Sequence, residues 1–417
     1  MAAGDDSRYM AAALRLARWN TGRTATNPSV GCLVVKDGVI VGRGVTAPGG
    51  RPHAEPQALA EAGEAARGAT AYVTLEPCSH HGKTPPCANA LIASGVARVV
   101  VSVTDPDSRV SGRGLALLRE AGIAVETGVL EEEGRRVLAA YLTRQVEKRA
   151  HVTLKLAVSA DGMIGRLGEG QVAITGPVAR AQVHAMRAET DAILVGIGTA
   201  RADDPLLDVR LNGLEQHSPY RFVIDPRLDL SLTSRIAQTA GRVPVTVVQV
   251  GPEYAVPPSV LPDISPSRGE ITEWPASRSP VSPSTLSAAE KAGGGGRGSI
   301  SPLEGEMPGR AEGGTARQNA LQSANISIWQ TPSLHALLAR MAEEGISSLM
   351  VEGGAKTVRD FLAAGLVDRI VLFEGPAEIG AGGVASPVTR THMPAGFRLV
   401  ASETFGPDRA YHYERED

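Results

Sequence analysis

Cysteine is scarce in this 417-residue sequence: Cys32, Cys78 and Cys87 are the whole supply. That is too few for a disulfide framework, and a reducing, cytoplasmic setting is the expectation. Aromatic residues make up only 4%, so the cores must be built mainly from Val, Leu, Ile and Ala. Neither sign of charge dominates: Lys and Arg total 42, Asp and Glu 45, and the formal net charge is −3. This balance argues against a dedicated nucleic-acid binder, which carries a clearly basic domain. No apolar run approaches the roughly 18–20 residues of a membrane span. The start, MAAGDDSRYM, has no basic segment followed by an apolar one, so a secretory signal is not expected. What is present is 42% apolar residue, enough for about two or three domains of roughly 150 residues each.

Ser7 is expected to cap a helix whose apolar positions Met10, Ala13, Leu14 and Ala17 recur at helical spacing. Val30–Val35 and Val39–Val45 read as strands, and the Asp37-Gly38 pair between them is a hairpin signal. Helices over 54–66, 88–94 and 113–121 then alternate with strands over 69–75, 98–103 and 123–125, which reads as α/β. A charged helix over 131–149 closes the first unit, so the boundary falls between 1–149 and 150–417. The second unit is also α/β, with strand-like runs over 151–158, 192–195, 221–224, 243–250, 348–351 and 369–373. Residues 252–325 interrupt it. Of these 74 residues, 10 are Pro and 10 are Gly, a share that marks low-complexity sequence unable to offset its ordering entropy.

His53-Ala54-Glu55, Pro77-Cys78 and Cys87 carry the clearest chemistry. One imidazole and two thiolates suit a tetrahedral zinc ion with one position open, the mark of a catalytic site rather than a closed structural one. A water there becomes a nucleophile near neutral pH. Glu55, two residues from His53, is placed to shuttle its proton. The pattern follows the zinc-deaminase signature H-x-E…P-C-x-x-C, but with eight residues, Ser79–Pro86, between the cysteines. A closed site with His80 or His81 as fourth ligand is the alternative. Lys83, in the intervening loop, is a candidate for a substrate phosphate, and Asn27 for a heterocycle or sugar hydroxyl.

No G-x-G-x-x-G follows a strand in the second unit, so an ordinary dinucleotide fingerprint is not indicated. Two strand ends run into small residues instead. Asp191–Val195 leads to Gly196-Ile197-Gly198-Thr199 and Asp203-Asp204-Pro205, and Ser348–Val351 leads to Glu352-Gly353-Gly354 before a helix. Glycine at a helix start lets backbone N–H groups approach a phosphate. Lys155, His184, Arg187, Arg201 and Arg210 supply positive charge.

These motifs together resemble the bifunctional riboflavin-biosynthesis deaminase/reductase family. One half is carried by Thr26-Asn27-Pro28-Ser29-Val30-Gly31, His53-Ala54-Glu55 and the run from Pro77 to Cys87, whose long cysteine spacing is normal in that family. The other is carried by the run from Lys155 to Gly162, Ile174-Thr175-Gly176, Asp191 through Pro205, and Val351-Glu352-Gly353-Gly354. The resemblance implies a cytidine-deaminase-like domain followed by a dihydrofolate-reductase-like α/β domain. It implies zinc-dependent deamination of a phosphoribosylamino-pyrimidine, then NADPH-dependent reduction of the ribose to a ribityl chain. His53, Cys78 and Cys87 would be the zinc ligands and Glu55 the proton shuttle. Ala157, Thr199, Asp203 and the segment Gly354, Ala355, Lys356, Thr357, Val358, Arg359, Asp360 would contact NADPH. Arg187, Leu207, Arg210 and Glu352 would contact the substrate, with Lys155 and Asp161 lining the pocket. Gln171 and Ala173 stand where the family has a Ser-x-Trp pair, Ala160 replaces a leucine, and Asp107-Ser108 replaces Asn-Pro. The implied partner is a small phosphoribosyl pyrimidine, without nucleic acid or membrane; a homo-oligomer is left open. The rival readings are a deaminase acting on bases in RNA or DNA, and a non-catalytic module stapled by zinc.

Overall fold

Asp37 (φ 50°) and Gly38 (φ 78°) both take left-handed backbone, as a two-residue hairpin turn requires, and Lys36 pairs with Val39 across it. The computed structural model describes residues 3–79, 85–107, 111–252 and 311–416. Its first unit runs α1 (Ala3–Ala17), β1 (Gly31–Lys36), β2 (Val39–Val45), α2 (Ala54–Ala62), β3 (Thr70–Leu75), α3 (Cys87–Ser94), β4 (Arg98–Val103), α4 (Arg113–Glu120), β5 (Ala124–Thr127), α5 (Glu131–Val137) and α6 (Ala139–Glu147). The strands stand in the order β2-β1-β3-β4-β5. β1 is antiparallel to β2 and β3, whereas β3, β4 and β5 are parallel.

Side chains alternate across a strand, and both faces of this sheet are covered. Cys32, Val34, Ala71 and Val73 pack under α2, α3 and α4. Leu33, Val35, Tyr72 and Val100 meet Tyr9, Met10, Ala13 and Leu14 of α1. Gly42 and Gly44 on β2 let α2 sit against the strand backbone: a Cβ on Gly44 would lie 2.0 Å from the Ala54 carbonyl oxygen, and one on Gly42 2.1 Å from that of Ala58. Two expectations need correction. Ser7 lies inside α1, not at its cap; the helix begins at Ala3, with Asp5 and Asp6 in the first turn, where the helix dipole favours acids. The helix expected over 131–149 is two helices that meet at the buried Leu138.

The second unit runs β6 (His151–Val158), β7 (Met163–Arg166), α7 (Pro177–Ala188), β8 (Ala192–Gly196), α8 (Ile197–Asp203), β9 (Tyr220–Ile224), α9 (Arg235–Gln238), β10 (Val245–Val250), α10 (Ala311–Ser323), β11 (Ile326–Thr331), α11 (Leu334–Glu343), β12 (Ser348–Val351), α12 (Ala355–Ala363), β13 (Arg369–Glu374), β14 (Gly383–Ala385), β15 (Phe397–Phe405) and β16 (Asp408–Arg415). Nine strands form one sheet in the order β11-β10-β9-β8-β12-β6-β13-β16-β15. It is parallel from β11 to β13 and antiparallel beyond. β7 and β14 pair separately. Of the expected insertion over 252–325, residues 253–310 lie outside the described residues. Its C-terminal end is corrected: α10 occupies it, and Leu321, 1% exposed, packs beside Leu228, Ile236 and Ile326. That buried side chain gives a glycine-containing segment a reason to fold.

Candidate active sites

The first site gathers at two helix starts. His53 immediately precedes α2 and Glu55 lies in its first turn; Cys78 follows β3, and Cys87 opens α3. One ligand atom from each of His53, Cys78 and Cys87 falls within 4.8 Å of the others. His53 Nδ1 is 3.3 Å from Cys87 Sγ and 3.8 Å from Cys78 Sγ. Ligands of a tetrahedral zinc ion lie about 3.5–3.8 Å apart, from Zn–N near 2.0 Å and Zn–S near 2.3 Å, so the trio fits the ion. The Cys87 N–H donates to Cys78 Sγ at 3.3 Å. Hydrogen bonding from Cys87 pulls the Cys78 thiol down to about 4, and the same contact pushes Cys87 up. A thiol so lowered is disposed to the thiolate form that metal ligation requires. Burial, then the Cys78 sulfur, pushes the Glu55 carboxyl up, and a raised carboxyl is suited to carrying a proton near neutral pH.

A cavity of about 580 Å³ opens over His53, Glu55 and Cys78, and Asn27 stands in its wall. Lys83, His80 and His81 lie outside the described residues. The wall also contains residues that the sequence did not single out. Glu76 accepts the N–H groups of Asp105, Gly112 and Gly114 at 3.3, 3.0 and 3.1 Å. Asp105 accepts the Tyr141 hydroxyl at 3.0 Å. Arg144 of α6 and Ala342 and Glu343 of α11 also line it, as do Arg51 and Lys148, so the second unit supplies part of the first unit's cavity.

The second site lies at the carboxyl edge of the parallel strands, where such sheets bind ligands. Val351 pairs with Leu154 and with Leu194, which sets Glu352 level with Lys155. Arg187 of α7 donates from Nε and Nη2 to the two Glu352 carboxylate oxygens, both at 2.8 Å, and from Nη1 to the Asp208 carbonyl at 3.0 Å. Burial opposes the Glu352 charge, but the Arg187 guanidinium outweighs it and holds the carboxyl at about 2. Burial pulls the half-buried Lys155 ammonium down. The Asp161 carboxylate takes the Ser159 hydroxyl at 2.5 Å and the Gly380 and Ile379 N–H groups at 2.7 and 3.1 Å. Those bonds hold it at about 2.

Known proteins share this arrangement over most of the chain. The family model "Cytidine and deoxycytidylate deaminase zinc-binding region" matches residues 3–103, and "RibD C-terminal domain" matches 150–254 and 314–411. Riboflavin biosynthesis protein RibD of Aquifex aeolicus is 36% identical over 377 residues, 90% of this chain and 88% of that protein. Its Escherichia coli counterpart is 46% identical over 247 residues, 57% of this chain and 67% of that protein. The chain belongs to the RibD family. Two solved structures agree along the whole length. Acinetobacter baumannii RibD has a TM-score of 0.75 at 28% identity, covering 100% of both chains. The diaminohydroxyphosphoribosylaminopyrimidine deaminase/5-amino-6-(5-phosphoribosylamino)uracil reductase of Thermotoga maritima has 0.72 at 29%, covering 99% of both. As a RibD, the chain is a bifunctional enzyme of riboflavin biosynthesis, a zinc-dependent deaminase joined to an NADPH-dependent reductase. No helix among the described residues is long and apolar enough to cross a membrane.

The RibD resemblance also named residues that the structure distributes unevenly. Thr199 Oγ1 accepts the Gly354 N–H at 2.9 Å, joining the two glycine-bearing strand ends. Val358 sits in the core beside Phe361, Lys356 bonds Asp360 at 2.6 Å on the outer face, and Arg359 is exposed. Ala157 packs against Val371 and Phe373. Asp203 ends α8, and burial raises its carboxyl. Leu207 holds left-handed backbone (φ 53°) with its side chain in the core beside Val195 and Leu228. Arg210 is half-exposed, 3.2 Å from the Asp208 carboxylate.

Proposed function

We propose that His53, Cys78 and Cys87 hold the zinc ion of this RibD enzyme and that Glu55 moves the proton. The substrate is 2,5-diamino-6-(5-phosphoribosylamino)pyrimidin-4(3H)-one, whose 2-amino group leaves as ammonia while water supplies the new carbonyl oxygen. Held by that trio, zinc would lower the pKa of a water by several units. Glu55, buried beside the trio in the cavity wall, moves one proton from the attacking water to a ring nitrogen, then a second from the added hydroxyl to the departing amine as the C–N bond breaks and the carbonyl forms. Asn27, in the same wall, and Lys83 hold the ring and phosphate. The observation that carries the reading is the convergence of one nitrogen, two sulfurs and a buried carboxyl on one cavity.

The second unit, 150–417, would hold NADPH, whose hydride, together with a proton from solvent, would reduce C1′ of the opened ribose and leave NADP+ and 5-amino-6-(5-phosphoribitylamino)uracil. The protein's part is positioning. Backbone at the start of α12, with Thr199, Asp203 and Ala157, holds the cofactor. Lys155, Glu352, Arg210 and the Leu207 backbone face the substrate. Arg187 contacts the substrate and also fixes the Glu352 carboxylate: two of its five N–H groups go to that carboxylate and a third to the Asp208 carbonyl. Asp161, equally occupied, ties the loop after β6 to residues 379–380. The near-neutral charge supports a free pyrimidine as substrate rather than a base in nucleic acid, and three unbridged cysteines support a cytoplasmic setting.

The test is ammonia release and NADPH oxidation on the phosphoribosyl pyrimidine. Glu55→Gln is expected to lower ammonia release by about 100- to 10,000-fold while bound zinc stays at the wild-type level. Full ammonia release by that variant would remove Glu55 from the mechanism.

A further inference from the structure

Arg144 of α6 is half-buried in the cavity wall shared with His53, Glu55 and Cys78. Its Nε donates to the Ala342 carbonyl in the last turn of α11 at 2.9 Å, and its Nη1 to the Thr26 carbonyl at 3.1 Å. A guanidinium has five N–H donors in a rigid fork, and Nη2 bonds no acceptor among the described residues. No carboxylate among them forms an ion pair with it. The one that acts on it through space, Asp191, is itself bonded to the Ser347 and Ser348 N–H groups and the Ser348 hydroxyl. A cation drawn out of water without a paired anion is costly, and here two carbonyls fix its plane at the edge of an open cavity. Two acids of the same wall, Glu76 and Asp105, are engaged by backbone N–H groups and the Tyr141 hydroxyl, and neither these nor Glu343, beside Ala342, forms an ion pair with Arg144 among the described residues. A planar fork with a spare amino edge is the natural complement of a phosphate monoester.

We propose that Arg144 anchors the phosphate of the deaminase substrate, held in place by α11 of the reductase unit. This rests on the deaminase reading above and adds a specificity residue that spans both units. The experiment uses the full-length, zinc-loaded enzyme. Ammonia release is followed with the phosphoribosyl pyrimidine and with the same nucleoside lacking the phosphate, for wild type, Arg144→Met and Arg144→Lys. Wild type should favour the phosphorylated substrate in kcat/KM. Arg144→Met should cut that preference by roughly 10- to 100-fold, the loss expected for a charge-assisted bond, through a raised KM rather than a lowered kcat. Arg144→Lys, which keeps the charge and loses the fork, should cut it less, and it carries the comparison if the methionine variant does not fold. An unchanged preference, or equal losses on both substrates, overturns the proposal. A wild-type enzyme that releases no ammonia from either substrate overturns the deaminase reading, and the proposal with it.

Discussion

Gly44 is expected to control zinc binding without touching the metal site. A methyl group there would lie 2.0 Å from the Ala54 carbonyl oxygen and 2.8 Å from the Ala58 nitrogen, both backbone atoms of α2. Real Cβ contacts do not fall below 3.0 Å, so Gly44→Ala forces the start of α2 to retreat by about 1.0 Å or more. His53 and Glu55 ride on that end of the helix, while Cys78 and Cys87 belong to other elements. A zinc site tolerates ligand displacements of only about 0.2 Å. Overpacking should cost the fold about 1–3 kcal/mol, and zinc affinity should fall by at least the roughly 10- to 100-fold seen when supporting contacts are lost. Chelator competition reads the affinity, and ammonia release should fall with it. NADPH oxidation on the deaminated intermediate is the internal control and should persist. Gly241→Ala, where an added Cβ meets nothing within 4 Å, should change stability by less than about 0.5 kcal/mol. Wild-type zinc affinity in Gly44→Ala would refute the claim that close packing of α2 on β2 sets the ligand geometry.

Arg187→Met should destabilise the protein by about 3–5 kcal/mol, because it strands the buried Glu352 charge. The double variant Arg187→Met/Glu352→Met should recover much of that in urea denaturation, and a double variant no more stable than the single would count against the pairing argument. His151 is buried on β6, and burial lowers its pKa from 6.5 to about 4. The unfolded chain therefore takes up a proton that the folded chain refuses. Stability should drop by on the order of 3 kcal/mol as pH falls from about 6.5 to about 4. His151→Gln should flatten that slope, and an unaltered urea-midpoint profile between pH 7 and pH 4 would show that His151 does not cause it.

The zinc trio was legible because its chemistry restricts residue type. Nitrogen and sulfur ligands with a carboxylate two positions from the histidine leave few alternatives, and no fold was needed to see them. The Asp37-Gly38 hairpin was legible because its backbone angles restrict the residues. Positioning groups carry no such signature. Ala157 and Leu207 came from resemblance alone, Thr199 stood out only as part of a glycine-bearing strand end, and Leu207 has its side chain in the core. Arg144 sits in the charged stretch read as a helix closing the first unit, and its contacts, Ala342 of α11 and Thr26, come from segments far away in sequence. β15 was missed because it is open on both faces along most of its length, so no alternation marks it. α10 was missed because Gly313 and Gly314 extend the composition of the preceding segment, while the burial of Leu321 depends on strands far away in sequence.

The stretch between α6 and β6 is short and held by side chains. α6 ends at Glu147 and β6 begins at His151, leaving three residues between them. Arg149, in that gap, grips Asp368 through two bonds of 2.7 and 2.6 Å, and Asp368 also accepts the Val152 N–H at 2.8 Å. Arg136 of α5 bonds Glu414 of β16, which Arg369 holds from the other side. These partly buried pairs matter more for orientation than for stability, since removing two charges from water offsets most of their attraction. Orientation is what the deaminase cavity requires, because Ala342 and Glu343 of α11 form part of its wall. An isolated first unit would lose that wall and the carbonyl that aims Arg144. The two active sites are separate in chemistry, yet the first is built with a surface of the second unit.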